Sequence, residues 1–289
     1  IETLSLREGE NRLNISGIVD LTGGEDLDLS LDGGLDMSLL GVFLQEGIFS
    51  GKTRFQIHVA PSLRSPEIQG SLDIQDGRYQ RISPRVLLEQ VNGEIKFKGN
   101  QVEIEKIQGV LNGGKTIING KIGLHGLTIH NAEIGLRNEN SLFDYPKGLH
   151  SQVSGDLKFL FDEKDHQIAG TITVLDARYR DDFRVGTAVF NLLRKDSIRE
   201  TLREPNPFLR NLSFNVNIDI ANNFIIDNNM AKAEISADLI LIGTPYYPSL
   251  SGRAGVVEEG EIYFNQNTFL IEQGTVDFIN PVRIEPDLN

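Results

Sequence analysis

The side chains able to do chemistry are few and scattered. The histidines are His58, His125, His130, His150 and His166, and cysteine is absent. His125 and His130 lie five apart; in a strand an odd separation sends two side chains to opposite faces, so they cannot share a metal. The acidic series Asp26, Asp28, Asp32, between Gly23-Gly24 and Gly33-Gly34, hints at calcium. An EF-hand loop, however, needs glycine at its sixth position and a bidentate glutamate at its twelfth. Counted from Asp26, those positions hold Leu31 and Met37. The carboxylate pairs Asp181-Asp182 and Glu258-Glu259 are sequence neighbours pointing apart, which suits solvated turns and not an acid/base pair. No phosphate-cradling loop or nucleophile elbow occurs. The expectation is a protein without catalytic centre, metal site or cofactor, and so not an enzyme.

The bulk properties narrow the partners. The chain has 289 residues, 28 basic and 41 acidic, for a formal charge of −13. Nucleic-acid binding needs clustered Lys and Arg, and no such cluster is present. With 39% apolar and 24% charged residues the chain is globular in composition. Its longest wholly apolar run, Leu239 to Ile242, falls far short of the ~20 residues of a membrane-spanning helix. The chain opens at Ile1 with no signal-peptide pattern, which predicts a piece of a longer protein.

The dominant periodicity is two. From Asn211 to Ile220 polar and apolar residues alternate without a fault, with Leu212, Phe214, Val216, Ile218 and Ile220 on one face. The same alternation places Leu27, Leu29 and Leu31 together, as it does Phe55, Ile57 and Val59; Ile95 and Phe97; Val153, Leu157, Phe159 and Phe161; and Ala233, Ile235, Ala237, Leu239 and Leu241. Such runs are strands with one apolar face, and the fold class is all-β. Asp32-Gly33, Asp76-Gly77, Asn92-Gly93, Asn112-Gly113 and Asn119-Gly120 read as tight turns, which predicts an antiparallel-rich sheet. Helical spacing appears over 185–203, stopped by Glu204-Pro205-Asn206-Pro207, and in a shorter stretch from Leu35 to Gln45.

An apolar–x–Gly–x–apolar pattern recurs at Gly17, Gly70, Gly93, Gly109, Gly120, Gly155, Gly170 and Gly252. Two copies extend in register 100 residues apart: Gly70 leads to Asp76, Gly77 and Tyr79, and Gly170 to Asp176, Ala177 and Tyr179. Gly252 leads similarly to Glu259, Gly260 and Tyr263. Glycine within a strand marks a bend or a close approach; repeated on one face, it lets a sheet curl toward that face. Such a sheet can close on itself, pack a second sheet, or remain a trough filled by an apolar guest, helices being too few to cover it. Burial of hydrocarbon, worth roughly 0.8 kcal/mol per methylene, makes a lipid a fitting guest.

The series Gly243-Thr244-Pro245, Pro248, Leu250, Gly252, Gly260, Tyr263, Phe269, Ile271, Gly274, Val276, Phe278, Asn280-Pro281, Pro286 and Leu288 resembles the C-terminal region of the TamB family, within the AsmA-like group of envelope proteins. Pro66 to Tyr79 and His166 to Tyr179 look like earlier copies of the same element, and Glu94 to Gly120 resembles the upstream strand–turn pattern. Residues 243–289 carry the resemblance most specifically; the remainder of the chain carries it diffusely. It implies an elongated curled sheet, the β-taco or trough, running as one body through 1–289 with an apolar interior and one or two short helices. It implies a periplasmic module held by an N-terminal inner-membrane anchor that this stretch does not contain. It implies as partners a TamA-like outer-membrane barrel and a phospholipid or unfolded β-strand client, with a role in lipid movement between the membranes or in barrel-protein assembly. The family pattern continues with further strands where this chain stops at Asn289.

On that reading the groove is lined by Ile68, Leu72, Ile95, Phe97, Ile122, Leu157, Phe159, Ile172, Leu212, Phe214, Val216, Ile218, Ile235, Leu239 and Leu241. Period two does not by itself separate such a lining from an ordinary sandwich core. Two rival readings are a structural or adhesive β-solenoid or sandwich at a surface, and a membrane-spanning barrel. The uneven spacing of the extended repeats speaks against the solenoid. The aromatic share of 7% without tryptophan speaks against the barrel's girdles.

Overall fold

The computed structural model describes residues 3–20, 27–39, 41, 47–60, 66–182, 207–279 and 286–288. The chain divides into two compact units, Ile1–Ser141 with Lys158–Glu163, and Leu142–Leu157 with Lys164–Asn289. Both are made almost wholly of strands, and the fold is all-β and antiparallel-rich.

The first unit holds β1 (Leu4–Glu8), β2 (Asn11–Val19), β3 (Leu27–Asp36), β4 (Ile48–Ala60), β5 (Glu67–Arg81), β6 (Val86–Gly99), β7 (Gln101–Leu111), β8 (Gly114–His125) and β9 (Thr128–Phe143) as far as Ser141. Each strand pairs antiparallel with the next. Register converts the alternation into rows, because residues directly opposite share a face. Ile15, Leu31, Ile57, Gly70, Phe97, Val102, Ile122 and Ala132 form one row from β2 to β9. Leu13, Gly33, Phe55, Leu72, Ile95, Ile104, Gly120 and Ile134 form the next on the same face. The other face carries the polar row Asn14, Asp32, Gln56, Ser71, Lys96, Glu103, Lys121 and Glu133. A slip of one residue anywhere would exchange the two faces, so the pattern fixes the pairing.

The second unit starts with the Leu149–Leu157 part of β10 (Leu149–Asp162) and β11 (His166–Tyr179). A four-residue helix α1 (Pro207–Arg210) precedes β12 (Leu212–Asp227), β13 (Ala231–Gly243), β14 (Pro248–Val256), β15 (Gly260–Phe264), β16 (Asn267–Ile271), β17 (Thr275–Phe278) and β18 (Pro286–Leu288). β11 and β12 are parallel, against the antiparallel rule of the other registered pairs. A parallel pair requires a crossover connection; the helix expected at 185–203 lies outside the described residues. β12, β13 and β14 are antiparallel neighbours, β14 pairs with β17, and β15–β16 is a hairpin attached to the start of β13. The core of this unit is Ile220, Ala237 and Leu239, with Ile218, Phe224, Leu250, Ala254 and Phe278 among the side chains packed against it.

The turn assignments need correction. Only Asn112-Gly113 is a hairpin turn, with φ of 46° and 84° joining β7 to β8. Gly33 and Gly120 sit mid-strand, while Asp76-Gly77 and Asn92-Gly93 lie at register shifts of β5 and β6. The strands are longer than the dipeptides suggested, up to 16 residues, and their glycines serve bulges and close contacts. The helix expected from Leu35 also differs. Leu35 continues β3 opposite Thr53, because the period-two pattern extends to it, and a 3-10 turn Met37–Leu39 follows; Gly41 is helical, and 40 and 42–46 lie outside the described residues.

The 100-residue repeat has a structural counterpart. Gly70 and Gly170 adopt φ of 133° and 136°, a region open essentially to glycine alone. A Cβ at Gly70 would stand 1.9 Å from the Gln56 carbonyl oxygen, and at Gly170 2.1 Å from that of Asp156. Gly252 repeats the arrangement against Asp238. Beyond each of the first two, the strand shifts register before its small buried residue, Gly77 or Ala177.

Candidate functional site

The expected lining residues gather into rows within each unit. In the first, Leu72 and Ile95 are opposite neighbours; Phe97 and Ile122 flank Val102 in the adjacent row, and Ile68 stands opposite Val59 on the same face. Phe159 belongs to the first unit and is half-buried. In the second, Ile172, Ile218 and Leu239 form one row, Val216 and Leu241 another; Phe214 stands opposite Ile168, and Ile235 between Phe224 and Val256. Leu212 lies opposite His166, and Leu157 has its Cα 2.9 Å from where a Gly170 Cβ would fall. Three of these residues, Leu212, Val216 and Leu239, are buried. The other twelve are half-buried. A sealed sandwich core would bury most of such a set, whereas most of these side chains retain apolar surface open to solvent.

One part of this face opens into a cavity of about 510 Å³ in the second unit. Phe224 and Ile226 of β12, Ile235 of β13, Ala254 and Val256 of β14, and Val276 and Phe278 of β17 supply its walls. Ile262 and Ile271 of the β15–β16 hairpin continue them, and among the described residues Gln273 and Thr275 are its only polar side chains. The volume falls in the range typical of small-molecule pockets, and the lining is more uniformly apolar than most. None of its described lining residues is acidic or basic. What it can do is shelter hydrocarbon.

Sequence reasoning had placed only Ile235 on this lining. Phe224 and Ile226 escaped because the β12–β13 register shifts between Ile220 and Phe224, where Asn223 takes φ 61°. Asn222-Asn223, ending an otherwise faultless alternation, was the available signal.

The opposite surface is charged and locally paired. Glu103 meets Lys98 and, at 3.9 Å, Lys121; Lys158 bonds Glu133 at 3.1 Å, and Arg253 holds Asp277 through two nitrogens at 2.5 and 3.1 Å. The Lys98 ammonium keeps the Glu103 carboxyl below the usual carboxylate range. The histidines are dispersed. His130 pairs with Glu163 at 2.8 Å and His150 with Asp144 at 2.6 Å, both in the open, while His58 lies near Ser30 and His125 is exposed. His166 is buried and stacked on Phe208 with ring centroids 4.8 Å apart. Among the described residues no group of three or more His, Asp or Glu side chains is arranged to hold a metal ion. Among them, too, no helix is long and apolar enough to cross a membrane.

No curated protein and no solved structure matches the chain significantly. The family model of the TamB C-terminal domain matches residues 103–289. That span takes in the strands from β8 onward, including the whole cavity and the glycine-marked β11 and β14. A sheet with one apolar and one charged face and the match over most of its length agree, and the chain belongs to the TamB family, as an envelope module of that type.

Proposed function

We propose that this chain is a non-catalytic module that shelters phospholipid tails on the apolar face of its sheets during transport between the inner and outer membranes. The supporting observation is the cavity of about 510 Å³, walled by aliphatic and aromatic side chains, on a face whose neighbouring residues are only half-buried. Each methylene sheltered from water contributes roughly 0.8 kcal/mol, so an acyl chain gains enough from such a surface to leave water without any directional contact. The module acts in the periplasm, anchored to the inner membrane through an N-terminal segment, with a TamA-like barrel as its outer-membrane partner; family membership supports these points. An unfolded β-strand of a barrel protein is the second client this face would accept, since its outward residues are apolar at every other position.

The test is photo-crosslinking in cells at Ile235, Phe214 and Phe159, with mass spectrometry of what is captured. Phospholipid adducts at these positions, lost in Ile235→Glu for the cavity, are the expected result. Adducts confined to polypeptide would replace the lipid reading with the strand-client one. No adduct at any of the three would leave an ordinary structural sheet, as in a surface or adhesive protein.

A further inference from the structure

Beyond Glu261 the β15–β16 hairpin is uncharged and carries several large, exposed apolar side chains. Residues 262–271, between Glu261 and Glu272, carry no charge in a chain that is 24% charged. Opposite pairing of Ile262 with Phe269 and of Gly260 with Ile271 puts Ile262, Phe264, Phe269 and Ile271 on one face. Leu270, opposite Glu261, projects from the other. Phe264 is 66% exposed, Phe269 53% and Leu270 68%. The tip is a two-residue turn, Asn265-Gln266, with φ of 49° and 66°, which makes a tight and well-defined end.

We propose that this hairpin is a lipid-surface contact whose tip enters the headgroup–acyl boundary of an electrically neutral, zwitterionic bilayer. Three features select that occupant. A partner protein covers one side of a hairpin, whereas here exposed apolar side chains stand on both faces, Phe264 and Phe269 on one and Leu270, beside Tyr263 and Thr268, on the other. The uncharged stretch ends at Glu261, about 13 Å from the tip at the rise of a strand, and at Glu272, about 20 Å from it; the roughly 5–10 Å to which interfacial segments sink lies within it. The net charge of −13 and the flanking glutamates disfavour anionic lipid. Ile262 and Ile271 also line the cavity, so the apolar face that carries Phe264 and Phe269 adjoins it.

Flotation of the full chain with phosphatidylcholine vesicles tests this. The chain is expected to float, and less so as phosphatidylglycerol is added. Replacing both rings, Phe264→Ser with Phe269→Ser, is expected to lower partitioning about a hundredfold, roughly tenfold for each ring. Tyr246→Ser with Tyr247→Ser is the control: these exposed aromatics lie in the turn between β13 and β14, at the other end of β13, and their loss is expected to change nothing. A chain that stays with the free protein would overturn the proposal, as would equal loss in both variants. So would a dimer in sedimentation velocity that the phenylalanine substitutions dissolve, because the hairpin would then bind a second copy. Ile235→Glu is expected to float normally while losing its lipid crosslink, so failure here is separable from failure of the lipid-shelter reading.

Discussion

Gly155 and Gly170 occupy the same position in the same sequence pattern, yet the structure assigns them different roles, and alanine substitution separates them. At Gly170 the φ of 136° and the Asp156 carbonyl oxygen, 2.1 Å from the would-be Cβ, oppose any side chain. The backbone strain is worth about 1–3 kcal/mol. Relief of the contact requires β10 and β11 to separate by about 1 Å, an overpacking penalty of about 1–3 kcal/mol more. Gly170→Ala should therefore cost about 4 kcal/mol, a large part of the ~5–15 kcal/mol that holds a domain together. At Gly155 the nearest atoms to a Cβ are the Thr171 carbonyl oxygen at 3.4 Å and Ile172 Cγ1 at 3.7 Å, ordinary contacts. Gly155→Ala should be neutral or stabilising by up to ~1 kcal/mol, because alanine restricts the unfolded chain. Urea unfolding followed by far-UV circular dichroism reads both. With a slope of about 2 kcal/mol per molar, Gly170→Ala lowers the midpoint by about 2 M while Gly155→Ala leaves it in place or raises it. Equal loss in the two variants would refute the reasoning, since the glycines would then be needed for an unencumbered apolar face and not for the approach of a carbonyl.

Leu239, 7% exposed and central to the core of the second unit, should cost about 2–5 kcal/mol when cut to alanine, read by the same unfolding curve. Asn138→Ala should cost about 1–3 kcal/mol and speed amide exchange around β8 and β9; its Oδ1 accepts from Thr116 Oγ1 at 3.1 Å and Ser141 Oγ at 2.5 Å in a buried trio. Tyr263 donates its hydroxyl to Glu261 at 2.6 Å, which raises its pKa above 10.0. The folded state thus holds the proton more tightly than the unfolded one, and the stabilisation is present below pH ~10 and lost as pH rises through the folded value. Glu261→Gln should return the ionisation of this ring toward 10.0, seen by NMR titration.

What could be read from the sequence was the face, not the turn. Asn211 to Ile220 alternate because each apolar residue of β12 must meet Ile168, Gly170 and Ile172 on one side and Leu239 and Leu241 on the other. That demand leaves a direct trace in residue type. Dipeptides such as Asn119-Gly120 leave an ambiguous one, because a glycine serves a hairpin turn or a crowded strand interior equally well. At Gly120 the Glu133 carbonyl oxygen, 2.5 Å from the would-be Cβ, is the reason, and it comes from another strand. The parallel pairing of β11 with β12 was hidden for the same cause: pairing direction depends on where the connection leads, and period two is the same in both directions. The cavity escaped because it is formed by strands brought together by register, from Phe224 to Phe278, and its one local mark was a break in an alternation.

The rows bear on how a guest would move. In the first unit Leu72, Ile95, Ile104 and Ile134 succeed one another across strands spaced about 4.8 Å apart, interrupted only by Gly120. Along a strand, by contrast, the apolar face is broken by the bulges at Asp76 and near Gln90, both at positive φ. A flexible chain therefore meets the more continuous apolar surface when it lies across the strands, so eight strands from β2 to β9 offer a path of about 34 Å without a single charged side chain in that row. The glycines extend the same logic, since each removes a side chain from a row that its neighbours keep apolar. For a guest that travels across the strands, substitution of one row residue by glutamate would be a block at a defined step. A charge at Ile95 should stop a guest that travels along this row and leave one that follows the strand axis through β5 unimpeded.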